Sequence, residues 1–292
     1  MHPTLIDAGW FQIRSYGFML AASFLAGIYL ASWRARRQGV KPQYLLDLSV
    51  YIIIAAVVGS RLFYVLFHLG DYANPLRIFA LWEGGATFYG GLILAITASV
   101  WFTRRKNLAF LGVADIMAPS IALGMALTRI GCFLSGCCYG SPTEMPWGVL
   151  FPTSCPAGES AAEAAFALGV DFVHLHPSQL YSSLYGFVIL AVLLLVEPRL
   201  RRQGALFGLL LILAGTARFT VDFFRFYEES ARTFAGFTVS QITAIGLFAI
   251  GIYLMARKSS SAKPAKPAKP AKPAKPAKPA KPAKRASNTA RR

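Results

Sequence analysis

Charge is what this chain has little of. Only 15% of its 292 residues are charged and only 13 are acidic, against about 25% charged in an ordinary soluble domain. So few charges leave too little polar surface for a water-soluble globule of this length. Histidine is as scarce, at four residues. The four cysteines, Cys132, Cys137, Cys138 and Cys155, form no C-x-x-C pair and have no histidine-rich partner segment. That spacing offers no zinc site, so the sequence predicts neither a metal nor a resident cofactor. A cleavable leader is also missing. The first twelve residues have no basic n-region, and the apolar run that follows, about 16–33, is long enough to span a bilayer rather than be removed.

What the chain has in quantity is apolar length. Hydrophobic residues make up 55%, and runs of roughly 20, enough to cross a hydrocarbon core, recur along it. The expected spans are about 16–33, 46–68, 86–103, 114–134, 177–196, 204–224 and 237–256. The fold class is therefore an all-α membrane protein of about seven transmembrane helices. A membrane domain covers 1–258, and its longest connection runs over about 135–176.

The basic residues orient this domain. Of the 30 lysines and arginines, 23 fall on one side: Arg34, Arg36, Arg37 and Lys41, then Arg104, Arg105 and Lys106, then Arg199, Arg201 and Arg202, then those after the last span. The positive-inside rule makes that side cytoplasmic. The N-terminus and the long 135–176 loop then lie outside, and the C-terminus inside. Residues 259–292 form a tail in which Lys-Pro-Ala recurs seven times from Lys263 to Ala283. A proline every third residue excludes helix and favours an extended, disordered chain. Eleven of the formal +17 charges belong to residues 261–292, so the net charge reflects a solvated tail and topology signals rather than nucleic-acid binding.

An arginine within a spanning helix costs a few kcal/mol or more, so it persists only if it is paired, wet or bound to something. Arg129 sits fourteen residues past Asp115, roughly 21 Å along a helix, too far for the two to pair. Gly131, Gly136 and Gly140 after it allow another backbone or a lipid head group to come close. Arg218, Asp222 and Arg225 share one face at i, i+4 and i+7, where a carboxylate can brace an arginine and a guanidinium can grip a phosphate. His176 and Gln179 share a face at the start of the fifth span, and Arg61 and Tyr64 share one in the second. Bland alternatives stand beside these readings: Arg129 bonded to carbonyls, a snorkelling trio at 218–225, and a structural His176.

The residues also resemble a family in order and spacing. The markers are Ser15-Tyr16-Gly17; Gly59-Ser60-Arg61-Leu62-Phe63-Tyr64; Trp82-Glu83-Gly84-Gly85 with Phe88-Tyr89-Gly90-Gly91; Asp115 four turns before Arg129-Ile130-Gly131; His176-Pro177-Ser178-Gln179-Leu180-Tyr181; and Ala217-Arg218 through Asp222-Phe223-Phe224-Arg225. Together, from about Tyr16 to Tyr253, they resemble prolipoprotein diacylglyceryl transferase of the bacterial cytoplasmic membrane. The resemblance implies transfer of a diacylglyceryl group from phosphatidylglycerol to the lipobox cysteine thiol of an exported prolipoprotein, with release of glycerol phosphate and an active site toward the outer face. It implies that Arg129 and Arg218 engage the lipid head group, that Tyr16 and Gly140 are functional positions, and that Arg61, Gly131, His176, Gln179, Asp222 and Arg225 support substrate binding.

Four positions depart from the family pattern. Tyr89 replaces a histidine held to be important, Cys132 an asparagine, Cys137 an acid and Ser182 a glutamate. An unperturbed tyrosine titrates near 10, so Tyr89 is a poor general base, but it is expected in the catalytic set with Arg129 and Arg218, orienting a thiol or phosphate by hydrogen bond. These departures keep two other expectations open, a catalytically silent phospholipid- or preprotein-binding paralogue and a related head-group transferase with another acceptor. The cysteines are read either as apolar packers or, for Cys155 with Cys137 or Cys138, as an outer-face disulfide.

Overall fold

The computed structural model describes residues 2–9, 12–69, 85, 87–200, 202–226 and 236–257. The expected tail, Arg77, Arg201, Arg232 and the segment Trp82-Glu83-Gly84 lie outside the described residues. Each expected span is a helix: α1 Ser15–Arg37, α2 Pro42–Phe67, α3 Phe88–Arg105, α4 Phe110–Ser135, α6 Ser178–Val196, α7 Ala205–Asp222 and α8 Val239–Ala256. Six of them are long and apolar enough to cross a membrane; α3 falls short of that measure because glycines open it and Arg104 and Arg105 close it. The chain is an all-α membrane protein.

Two elements were not expected. A short hairpin precedes α1, with β1 Thr4–Asp7 antiparallel to β2 Gln12–Arg14. Within the long loop, α5 Pro156–Leu168 folds against Phe151, Val173 and Leu175. Its alanines give it helix propensity, and its 13 residues are too few to span.

Helix α4 is the centre. It packs against α1, α6 and α7, while α2 pairs with α3 and α7 with α8. Lipid tails are as apolar as leucine, so the hydrophobic effect does not drive these helices together; close van der Waals approach does. Small residues supply it. A Cβ on Gly186 of α6 would lie 2.8 Å from Ala126 of α4, and one on Gly59 of α2 would lie 2.5 Å from the Gly90 carbonyl of α3. Leucine, isoleucine and aromatic side chains are left on the outside, as on Leu25, Ile54, Leu195 and Ile250. Pro119 lies inside α4 without ending it, as happens in membrane helices whose neighbours satisfy the freed carbonyls.

The basic end is fastened by a buried network. Arg34, 2% exposed, forms an ion pair with Glu197 and donates to the carbonyls of Ile116 at 2.9 Å and Asp115 at 3.1 Å. The Asp115 carboxylate accepts from the amides of Gly204 at 2.6 Å and Phe207 at 2.8 Å, so a side chain of α4 satisfies the otherwise orphaned first turn of α7. Four segments of the chain meet at this knot.

Breaking a buried pair by removing one partner costs about 3–5 kcal/mol. Arg34→Met is therefore expected to lower the melting temperature in detergent sharply. Glu197→Gln is expected to have a smaller effect, because Glu197 is about one-third exposed. Thermal unfolding of the two variants and the double variant checks both the order and the coupling.

Candidate active site

At the opposite end, α1, α4, α6 and α7 enclose a cavity of about 510 Å³, with Phe88 of α3 on one side. Met125, Ile189, Ala214 and Val221 make its wall largely apolar. Against that wall stand a few polar groups: Tyr16, Thr128, Arg129, Ser182 and Arg218, together with Cys132, Cys137 and Cys138.

Arg129 and Arg218 enter this cavity from different helices and are held differently. Arg218 donates to Ser240 Oγ at 2.5 Å and lies 3.5 Å from Asp222 Oδ1, one turn on. The Asp222 side chain is wholly buried and accepts a 2.5 Å bond from the Thr238 hydroxyl. Thr238 also caps α8 in a capping box with Gln241, so the brace on Arg218 is anchored to the next helix. Arg129 is half-buried, and no group among the described residues accepts a hydrogen bond from its guanidinium. The Tyr16 hydroxyl, in the same cavity, likewise has no hydrogen-bond partner among the described residues. A cation held in an apolar pocket without a protein acceptor is a site for an anion.

The chain end of α4 completes the wall. Gly136 takes a left-handed conformation, φ 65°, and the turn bonds Cys137 N to the Cys132 carbonyl and Gly136 N to the Phe133 carbonyl, each 3.1 Å. This is the Schellman arrangement. Cys138 follows with φ 59°, unfavourable for a residue bearing a Cβ. The double reversal gathers the sulfurs of Cys132, Cys137 and Cys138 within 4.8 Å of one another. Two fully buried residues at the start of α6 hold the turn: Ser178 Oγ donates to the Cys138 carbonyl and Gln179 Nε2 to the Cys137 carbonyl, both at 2.9 Å. The sequence reading found no metal-type spacing because i, i+5 and i+6 converge only through two left-handed residues, Gly136 and Cys138, on either side of Cys137. The expected Cys155 disulfide is not formed: all four thiols are free. Cys155 is buried under α5, where its Sγ donates to the Pro152 carbonyl.

The remaining expected site residues frame the cavity rather than line it. Gly131 lets α1 cross α4, since a Cβ there would lie 2.8 Å from Met19 Cβ and 3.5 Å from Tyr16 Cα. Gly140 bridges to Arg225 and donates its amide to the His176 carbonyl at 3.0 Å; a Cβ there would meet His176 Cβ at 2.5 Å and His176 O at 2.7 Å. His176 Nδ1 lies 3.1 Å from the Tyr181 hydroxyl, which also accepts from Trp147 Nε1 at 2.8 Å. Burial lowers the His176 pKa below the ordinary histidine value, which keeps its ring neutral at pH 7. Arg61, buried in α2, donates to the Gly85 carbonyl at 3.0 Å and tethers that segment. Tyr89 points to α8, its hydroxyl 2.9 Å from Thr243 Oγ1, and is absent from the cavity wall. The sequence reading missed the place of Cys138 on the cavity wall, Ser240 and the Thr238–Asp222 bond. Only the last left a signal, the Thr-Val-Ser-Gln capping pattern at 238–241.

Residues 3–257 match the family model for prolipoprotein diacylglyceryl transferase. A curated phosphatidylglycerol–prolipoprotein diacylglyceryl transferase of Geobacter sulfurreducens is 34% identical over 86% of this chain and 92% of its own length. Proteins of the same name from Stenotrophomonas maltophilia and Photobacterium profundum are each 35% identical, covering 90% and 87% of this chain and 94% and 91% of theirs.

The backbone crossing at Gly140 leaves no room for a side chain. Gly140→Ala is expected to destabilise the fold by about 2 kcal/mol, seen as a lower melting temperature in detergent. Gly246→Ala, where a Cβ would meet nothing within 4 Å, is the matched control and is expected to melt with the parent.

Proposed function

The chain belongs to the prolipoprotein diacylglyceryl transferase family, and from that premise we propose that the cavity between Arg129 and Arg218 is where phosphatidylglycerol gives up its diacylglyceryl group. The chain is an enzyme of lipoprotein biosynthesis, a transferase. It moves the diacylglyceryl group from phosphatidylglycerol to the thiol of the lipobox cysteine of an exported prolipoprotein, and glycerol phosphate leaves. The observation that carries the placement is Arg129: a guanidinium in an apolar cavity with no acceptor among the described residues, facing a second arginine that is already braced.

The chemistry suits the arrangement. When the carbon–oxygen bond to phosphate breaks, negative charge grows on the departing phosphate. Fixed cations in a poorly hydrated pocket stabilise that charge without having to reorganise. Arg129, without an acceptor among the described residues, takes the phosphate oxygens; Arg218, fixed by Asp222 and Ser240, sets the second point of charge. Tyr16 offers its hydroxyl to the same head group. Nearby positive charge also favours the acceptor thiolate. His176, Gln179, Gly140 and Arg225 hold the loop that closes this end, while Gly131 and Arg61 fix α1 and α2 beside it. Tyr89 fastens α3 to α8 through Thr243 rather than serving as a proton acceptor. With basic residues marking the cytoplasmic side, the cavity opens toward the outer face of the bacterial inner membrane, where the preprotein signal peptide arrives.

Purified protein, labelled phosphatidylglycerol and a lipobox peptide test the reading. Label is expected in the peptide only when its cysteine is intact. Arg129→Ala and Arg218→Ala are each expected to lower transfer about 100-fold to 1,000-fold, the usual cost of one oxyanion-stabilising group, while both variants still insert. Parent-like turnover in both would sink the lipid assignment. Tyr89→Phe is expected to retain most of the parent rate, and a collapse of turnover would return Tyr89 to proton transfer.

A further inference from the structure

Three thiols on one wall of a reaction cavity are more than the head-group reading uses. Cys132, Cys137 and Cys138 place their sulfurs within 4.8 Å of one another, and all three residues line the cavity that holds Arg129. Cys132 is buried, and the other two are half-buried. Two features distinguish this from chance packing. Cys138 holds a left-handed backbone conformation, φ 59°, that a side chain disfavours by roughly 1 kcal/mol or more. The carbonyls of Cys137 and Cys138 are also pinned by two side chains of α6, each 1% exposed, Ser178 and Gln179. The turn is built to hold these sulfurs together.

We propose that Cys132, Cys137 and Cys138 form a three-thiolate site for a thiophilic divalent cation, zinc by chemical class, with its fourth coordination position open to the cavity for the acceptor thiol. This rests on the transferase reading, because it names what the site binds beside the lipid. Zinc–sulfur bonds of about 2.3 Å in a tetrahedron separate the sulfurs by about 3.8 Å, so a cluster already within 4.8 Å needs little contraction. Three protein ligands and one open place mark catalytic zinc sites, whereas structural sites are closed. Three thiolates and one divalent cation carry a single net negative charge, and Arg129, at i and i+3 with Cys132 on one helix face, lies beside it.

The site answers a need the rest of the cavity leaves unmet. Among the described residues no histidine or carboxylate lines the cavity, and Tyr89 is turned to Thr243. A thiol that binds such a cation is deprotonated outright. The acceptor sulfur takes the open position as its proton passes to water. Its electron pair then forms the carbon–sulfur bond at the glyceryl carbon as the carbon–oxygen bond to phosphate breaks, and that bond's electron pair leaves on the phosphate oxygen. The products are the thioether and glycerol phosphate, with no oxidant or reductant consumed.

The test uses the full chain purified in detergent without chelator. Elemental analysis is expected to find about one zinc per chain in the parent and in Cys155→Ser, whose thiol lies outside the cluster, and almost none in Cys137→Ser. Cys137→His, which restores a ligand, is expected to recover the metal. With Co²⁺ in place of zinc, a lipobox peptide is expected to change the visible absorption, and its serine variant is not. Transfer by Cys137→Ser is expected to fall about 100-fold or more, the scale of losing activation of a nucleophile. Failure of the metal-free parent to take up zinc, or a disulfide among the three thiols in protein alkylated on denaturation, overturns the site. Full transfer by Cys137→Ser overturns the site while leaving the transferase reading intact. A parent that binds zinc and coordinates the peptide sulfur yet transfers nothing upholds the site and sinks that reading.

Discussion

The left-handed turn at Gly136 is the constraint on which the reactive end depends, because three separate requirements are met there. It ends α4 with its carbonyls satisfied, reverses the chain so that Cys137 and Cys138 come back under Cys132, and presents two carbonyls for Ser178 and Gln179 to grip. A side chain at Gly136 would be strained by its φ of 65° and would run into Cys155. The same turn thereby sets where α6 begins and how Arg129, two turns back along α4, faces the cavity. A lipid-embedded bundle draws no hydrophobic drive from association, so such hydrogen-bonded junctions carry precision that packing alone does not provide.

The two ends of the bundle use arginine in opposite ways. At the basic end Arg34 is spent entirely on protein: a carboxylate, two carbonyls and full burial. At the cavity Arg218 is held by Asp222 and Ser240, whereas Arg129 has no acceptor among the described residues. Both arrangements obey one rule, that a guanidinium in an apolar setting must be answered by acceptors. The difference lies in who supplies them. Protein supplies them at the basic end; at the cavity, on the proposed reading, the head-group phosphate supplies them to Arg129.

The spans were readable because length and hydropathy are local properties, and each expected run is a helix. Arg129 and Arg218 were readable for a related reason, since a charge in an apolar run stands out without knowledge of the fold. The roles of other residues depended on geometry that sequence does not carry. Arg61 was expected to support substrate binding, and its described contact is a bond to the Gly85 carbonyl. Tyr89 sat at the place of a base and faces a neighbouring helix. The thiol cluster was invisible because its spacing makes sense only once Gly136 and Cys138 both turn left-handed. The α5 helix was read as loop since, with 13 residues, it is too short to register as a span.

The bond between Tyr89 and Thr243 has a consequence for how firmly α3 is held to α8. Among the described residues α3 and α8 share little else, and Phe88, next to Tyr89, borders the cavity. A single exposed hydroxyl–hydroxyl bond is worth about 1 kcal/mol, so thermal fluctuation parts it in roughly one molecule in six at any moment. The contact between α3 and α8 is therefore closed most of the time yet never locked.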